Sequence, residues 1–246
     1  MTNYSAEETL EQRKAALGDE AGAFFRNLEE ELYSVRELWA CYIGLFGTNP
    51  ERVDLLNAVS GPTAFQIEKA MREAALLAIC RLTDPKETRA SRNVERNVTV
   101  RRLTTYSKKG ADNDLKNLIE TAVSAAEFAR TFRNKVLAHA DDRTANSRGS
   151  VTSGSRNDMR EAMDAIAACL KKFAESELDM ALVTHPIRQG ADEVELLKSI
   201  YLGKKEMERR ELEYVQSFRN GTWRELNEKN SLPEWLTLRP SQEFDV

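Results

Sequence analysis

Only two histidines, His139 and His185, occur in the 246 residues. The imidazole is the side chain whose ordinary pKa, about 6.5, suits proton transfer near neutrality. His185 precedes Pro186 and reads as an ordinary loop residue. His139 reads as the end of a helix whose last turns are Phe132-Arg133-Asn134-Lys135-Val136-Leu137-Ala138-His139-Ala140-Asp141. An arginine six positions before a histidine suits phosphodiester chemistry. The ring can move a proton, and the planar guanidinium can hold charge that develops on a phosphate. Arg133 also stands where an apolar residue is due, on the stripe Ala122, Ala126, Ala129, 133, Val136. At about 100° per residue, Arg133 and His139 lie about 120° apart and straddle that stripe. A guanidinium sent toward a core needs an anion. It can be an internal acid, with Arg133, Asp141 and His139 forming a buried network, or the phosphate of a ligand.

Other chemistry finds little support. Cys41, Cys80 and Cys169 each sit within an apolar helical pattern without a nearby Cys or His, which fits small buried hydrophobes in a reducing compartment. No metal site is expected, because zinc needs clustered ligands, and no cofactor motif is visible.

The elements that must position Arg133 and His139 are helical. Phe25, Leu28, Leu32, Val35, Trp39, Tyr42 and Phe46 follow gaps of 3 and 4, the spacing of one helix face. That face can pack inside a bundle or pair two chains. Gly47 and Asn49-Pro50 stop it, and Gly61-Pro62 restarts the chain. A central helix is expected from Phe65 to Leu82, apolar nearly all round, ended by Asp84-Pro85. Residues 86–111 read as polar and broken, with at most a short helix around Val98–Tyr106. Asp112 to Ala138 is again helical. Residues 140–157 have loop composition, and Ser155 with Asp158 resembles a capping box for a helix running to about Met180. A last helix is expected from Asp192 to about Arg219, with its charged middle, Lys204 to Glu211, in water. Trp223 and Trp235 are suited to pin the tail back on the body. The division expected is an N-terminal arm (1–19), a helical bundle (20–182), and a C-terminal helix and tail (191–246).

The net charge of −4 is unevenly spread. Residues 81–109 hold nine Lys/Arg against three acids, and residues 130–160 hold seven against three, leaving the remainder at −14. With screening over about 8–10 Å, two basic segments can attract a polyanion to an acidic body, or they can be solvated loops.

The string from Arg133 to Asp141 resembles the signature of the HEPN superfamily (higher eukaryote and prokaryote nucleotide-binding): an Arg, a polar residue, a few more positions, then His. Its abortive-infection U-type branch is the closer likeness. There an early helix resembles Leu38-Trp39-x-x-Tyr42-x-x-Leu45-Phe46-Gly47, a second ends like Arg81-Leu82-Thr83-Asp84-Pro85, and a short segment is similar to Asn97-Val98-Thr99-Val100-x-x-Leu103. The resemblance spans about residues 20–180. It implies an all-α, HEPN-like bundle of four to five helices, here with a C-terminal helical extension, and a homodimer that joins two Arg–His motifs in one cleft. It also implies metal-independent RNA cleavage by 2′-OH attack, in an antiphage or stress effector of toxin type. Arg133, His139 and Asn134 are then the catalytic candidates and Asp141 an orienting group. Lys135, Arg130, Arg143, Arg101 and Arg102, from the two basic segments, are candidates for binding RNA. Some HEPN toxins carry, two residues after the His, a Tyr that a partner nucleotidyltransferase modifies. Here that residue is Asp141, so silencing by that route is not expected, although another antitoxin or regulatory protein fits the class.

Two further readings stay open: a non-catalytic RNA- or nucleotide-binding module of the same fold, and a structural or interaction bundle. No apolar run nears the roughly 18 residues of a membrane helix. The stretch MTNYSAEETLEQRKAAL lacks the apolar core of a signal peptide, so a soluble cytoplasmic protein without membrane contacts is expected.

Overall fold

The computed structural model describes residues 5–90, 93–107, 113–137, 154–186, 192–222, 232–233 and 236. Ser5 caps α1 (Ala6–Leu17) in a reciprocal box with Glu8. Gly18, at φ 89°, turns the chain into α2 (Asp19–Tyr42). The stretch read as an N-terminal arm thus folds as a helix against α2. Its buried Arg13 pairs with Glu29 at 2.8 Å, and a Cβ at Gly22 would fall on the backbone of Arg13 and Lys14. A π-helical turn, Ile43–Gly47, follows α2.

The central helix α3 (Pro50–Thr83) begins earlier than Gly61-Pro62 suggests. Asn49 caps it and Pro50 opens it, as proline's missing N–H allows at a first turn. The punctuation at Gly61-Pro62 survives only as a kink, with Ser60 at φ −161° and ψ 88°. Only the last turns of α3 are central: Ala75, Leu76, Ile79, Cys80 and Leu82 are fully buried, whereas Phe65 and Ile67, expected inside, are 60% and 45% exposed.

The basic segment after α3 holds the one departure from an all-helical reading among the described residues. Strands β1 (Glu87–Ala90) and β2 (Asn93–Arg96) pair as an antiparallel hairpin. Their sequence, ETRA and NVER, has no apolar alternation to announce a strand. A 3-10 turn (Val100–Arg102) and α4 (Leu103–Tyr106) follow, close to the short helix expected there.

Next come α5 (Asn113–Ala125), α6 (Glu127–Phe132) and a second π-helical turn, Arg133–Leu137. Ala126, at φ −88° and ψ 1°, separates α5 from α6. One long regular helix was expected here, and these two irregularities change which side chains face inward. The capping box of Ser155 and Asp158 starts α7 (Arg156–Leu178), and Asp179 ends it in the left-handed region. Asp192 caps α8 (Glu193–Asn220), which Gly221 ends at φ 74°.

The core lies between α2, α3, α5 and α7. Phe25 meets Phe173 with ring centroids 5.0 Å apart, among the fully buried Leu28, Leu76, Ile79, Ile166 and Leu170. Each such side chain contributes roughly 1.5–3 kcal/mol by leaving water. The 3-4 seam of α2 therefore packs inside the bundle at Phe25 to Val35, while Trp39 and Tyr42 stack on each other, half-buried, at 4.7 Å. Along α8 only Leu197 and Ser217 are buried, and the charged middle turns face water as expected. Among the described residues, no helix is long and apolar enough to cross a membrane. Trp223 and Trp235 lie outside the described residues.

Candidate functional site

Pro85 cannot continue α3 and drives Asp84 into extended geometry, φ −60° and ψ 163°. The last carbonyls of a helix need donors, and here arginines supply them. Arg101 donates from Nε to the Thr83 carbonyl at 3.0 Å. Arg130 donates from Nη2 to the same oxygen at 3.3 Å and to Thr83 Oγ1 at 3.2 Å. The Thr99 hydroxyl donates to the Asp84 carbonyl at 2.8 Å. Arg101 belongs to the first basic segment and Arg130 to the second, so the two segments meet on this helix end, whose dipole favours cations.

Arg133 completes the corner. Its Nη1 donates to both carboxylate oxygens of Asp84, at 2.9 and 3.1 Å, and its Nε to Asn134 Oδ1 at 3.3 Å. The pair is mostly but not wholly buried, at 28% and 21% side-chain exposure. The anion that Arg133 requires is therefore Asp84, a residue the motif analysis did not single out. An acid beside a helix-ending proline, opposite an arginine on an apolar stripe, was the signal that could have found it. Cys80 lies fully buried nearby. Burial pushes its thiol pKa up, and the Arg133 charge works against that rise.

The apolar stripe behaves as expected up to Ala129 and then turns. Ala122, Ala126 and Ala129 are fully buried, but Phe132 takes the next inward place and Val136 is 37% exposed. The break at Ala126 and the wide turn at Arg133–Leu137 rotate Arg133 off the core and onto the end of α3. The 120° separation expected between Arg133 and His139 rests on a residue outside the described ones. Single π turns recur at functional positions in helices.

The candidates divide accordingly. Arg101, Arg130 and Arg133 share the corner, with Asn134 and Lys135 exposed on the same turn. Arg102 is not brought there. It is 9% exposed, lies 4.5 Å over the Phe24 ring, and donates to the Asn97 carbonyl and Tyr106 hydroxyl. Its guanidinium pins the segment after the hairpin onto the bundle, packed on Phe24 and Tyr106 and away from the corner. His139, Asp141 and Arg143 lie outside the described residues. His185 receives a hydrogen bond from Arg36, whose Nη2 also pairs with Asp164 at 2.7 Å. This keeps it in a strut between α2 and α7. Among the described residues no group of three or more His, Cys, Asp or Glu could hold a metal ion.

No curated protein and no solved structure matches the chain. One family model does: HEPN_AbiU2, described as AbiU2, matches residues 18–175. That span covers the bundle from α2 to most of α7 and includes the whole Arg133 corner. By that match, and by the helical bundle that carries it, the chain belongs to the abortive-infection U-type branch of the HEPN superfamily.

Proposed function

We propose that this protein is a metal-independent endoribonuclease, acting as a toxin-like antiphage or stress effector. In this reading a ribose 2′-oxygen attacks the adjacent phosphorus and the bond to the 5′-oxygen breaks. His139 of one subunit takes the 2′-OH proton, and His139 of its partner gives a proton to the leaving oxygen. Arg133 stabilises the charge on the phosphorane, while Asn134 and Asp141 orient the phosphate and the rings. Lys135, Arg130, Arg101 and Arg143 hold flanking phosphates. One such histidine per chain makes a homodimer with a shared two-fold cleft the natural assembly.

One observation carries the reading. In a chain of this family, the motif's arginine stands at a solvent-reached corner where two separate basic segments converge. The test is incubation of the pure protein with single-stranded and structured RNA, with and without EDTA. The expected products carry 2′,3′-cyclic phosphate and 5′-hydroxyl ends, at a rate EDTA does not change. Loss of cleavage in EDTA, or 5′-phosphate ends, overturns it. Light scattering at micromolar concentration is expected to give a dimer, and a monomer counts against the shared cleft.

Asp84 favours a second reading. Because it already satisfies Arg133, the domain can bind RNA or a nucleotide without cutting. That reading expects salt-dependent RNA affinity and intact RNA throughout the incubation.

A further inference from the structure

Helix α8 leaves a regular apolar stripe in solvent. At about 100° per residue, Leu196, Ile200, Met207 and Tyr214 fall within about 40° of one another. Leu196 is 51% exposed, Met207 71% and Tyr214 41%, while Ile200 is half-buried. Gly203 lies on the same stripe, and a Cβ built there meets no atom within 4 Å. The gaps of 4, 3, 4 and 7 are those of a coiled-coil seam, whereas the body-facing side of α8 carries the buried Leu197. Reading only the charge density of Lys204 to Glu211 hides this stripe, because Met207 is its single apolar residue there.

We propose that α8 pairs with α8 of a second copy of this chain, antiparallel, about a two-fold axis at Met207. Charge complementarity chooses this occupant. Such an axis sets residue i opposite 414 − i, so Lys204 comes within about one residue's rise, ~1.5 Å along the axis, of the partner's Glu211. The two-fold repeats that pair, with Glu211 meeting the partner's Lys204. In the seam itself, three residues after Met207, Arg210 stands about two residues, ~3 Å, from the level of the partner's Glu206, and so screens the two Glu206 carboxylates that come equally close. Ile200 then packs on the partner's Tyr214, and Met207 on its own counterpart, with Gly203 leaving room for close approach. In a parallel pair, Lys204 and Glu211 would be staggered by about 10 Å along the axis. The within-helix pairs at these positions, Lys204–Glu208 and Arg210–Glu206, are exposed and can exchange partners at little cost. Charges flanking an apolar seam set partner and orientation in this way. The contact is independent of the nuclease reading and is tested without RNA.

The test uses the full chain with cysteine placed by design. Met207→Cys is expected to give a covalent dimer on mild oxidation, because the axis brings the two residues together and a disulfide needs Cα atoms within about 7 Å. Ile200→Cys alone is not, since the two copies would sit about 21 Å apart along the axis. Leu202→Cys, on the far side of the helix, is the second control, and the wild-type cysteines set the background. In the Met207→Cys protein, Lys204→Glu should cut the crosslink about tenfold, and adding Glu211→Lys should restore it. An uncrosslinked Met207→Cys protein overturns the proposal, leaving the stripe to another partner. So does equal crosslinking of Leu202→Cys, and Ile200→Cys dimers would show parallel pairing.

Discussion

Replacing Asp84 with Asn keeps the shape of the side chain and removes the charge that Arg133 meets. The magnitude follows from burial. Exposed ion pairs contribute about 0.2–1 kcal/mol, and breaking a buried one costs about 3–5 kcal/mol. With 28% and 21% of the two side chains exposed and both carboxylate oxygens engaged by Nη1, the loss should be about 1–2 kcal/mol, after allowing for screening. For a chain of this size that lowers the melting temperature by about 2–8 °C. The assay is a double-mutant cycle by thermal melting with Asp84→Asn, Arg133→Gln and the double variant. Each single change is expected to destabilise by about the same amount, and the double variant by little more than either. In the nuclease reading, Asp84→Asn also slows RNA cleavage about tenfold, equal to about 1.4 kcal/mol, because Arg133 loses its fixed position. Strict additivity of the two losses would refute the coupling and with it the corner as described.

Gly22→Ala should drive a methyl group into the α1 backbone, costing roughly 1–3 kcal/mol and raising proteolysis of the first 18 residues; an unchanged melting temperature and digestion pattern contradict this. Ser155 holds the Asp158 carboxyl below its ordinary pKa through backbone and side-chain hydrogen bonds. The stabilisation is thus present above the unfolded value, near 3.9, and is lost as pH falls through the lower folded one. Ser155→Ala removes the hydroxyl that accepts from the Asp158 N–H and keeps the backbone donor, so it should melt earlier than wild type at every pH, with the gap narrowing but not closing below about pH 4. Burial pushes the Cys169 thiol up to about 12, so it should resist alkylation at pH 7 until the chain unfolds. Mass spectrometry of the labelled peptide reads the result directly.

Periodicity made most of the helices legible. The seam from Phe25 to Val35, the buried end of α3, the Ser155 cap and the extent of α8 all follow from local rules: 3-4 spacing, capping chemistry and turn residues. The failures share a different cause. Gly61-Pro62 reads as the restart of the chain, yet α3 already runs from Pro50 and carries through it as a kink, because helix on both sides outweighs one irregular Ser60. The β1–β2 hairpin is held by backbone pairing among charged residues, so no hydrophobic signal marks it. At the candidate site the sequence supplied the residue types and the need for an anion at Arg133. It did not supply Asp84, since the partner is 49 positions away and becomes a neighbour only after the helix breaks at Ala126. Arg101 and Arg102 are adjacent in sequence but part company, one on the Thr83 carbonyl and the other over Phe24.

The account turns on His139 acting in chemistry rather than in packing. The direct test compares His139→Ala with wild type, following RNA cleavage and melting temperature on the same preparations. Loss of cleavage with melting within about 1 °C of wild type, which for this size is well under 1 kcal/mol, is the predicted result. A variant that still cuts RNA at the wild-type rate, or one destabilised by on the order of 1–3 kcal/mol as an unpaired buried group would be, contradicts it.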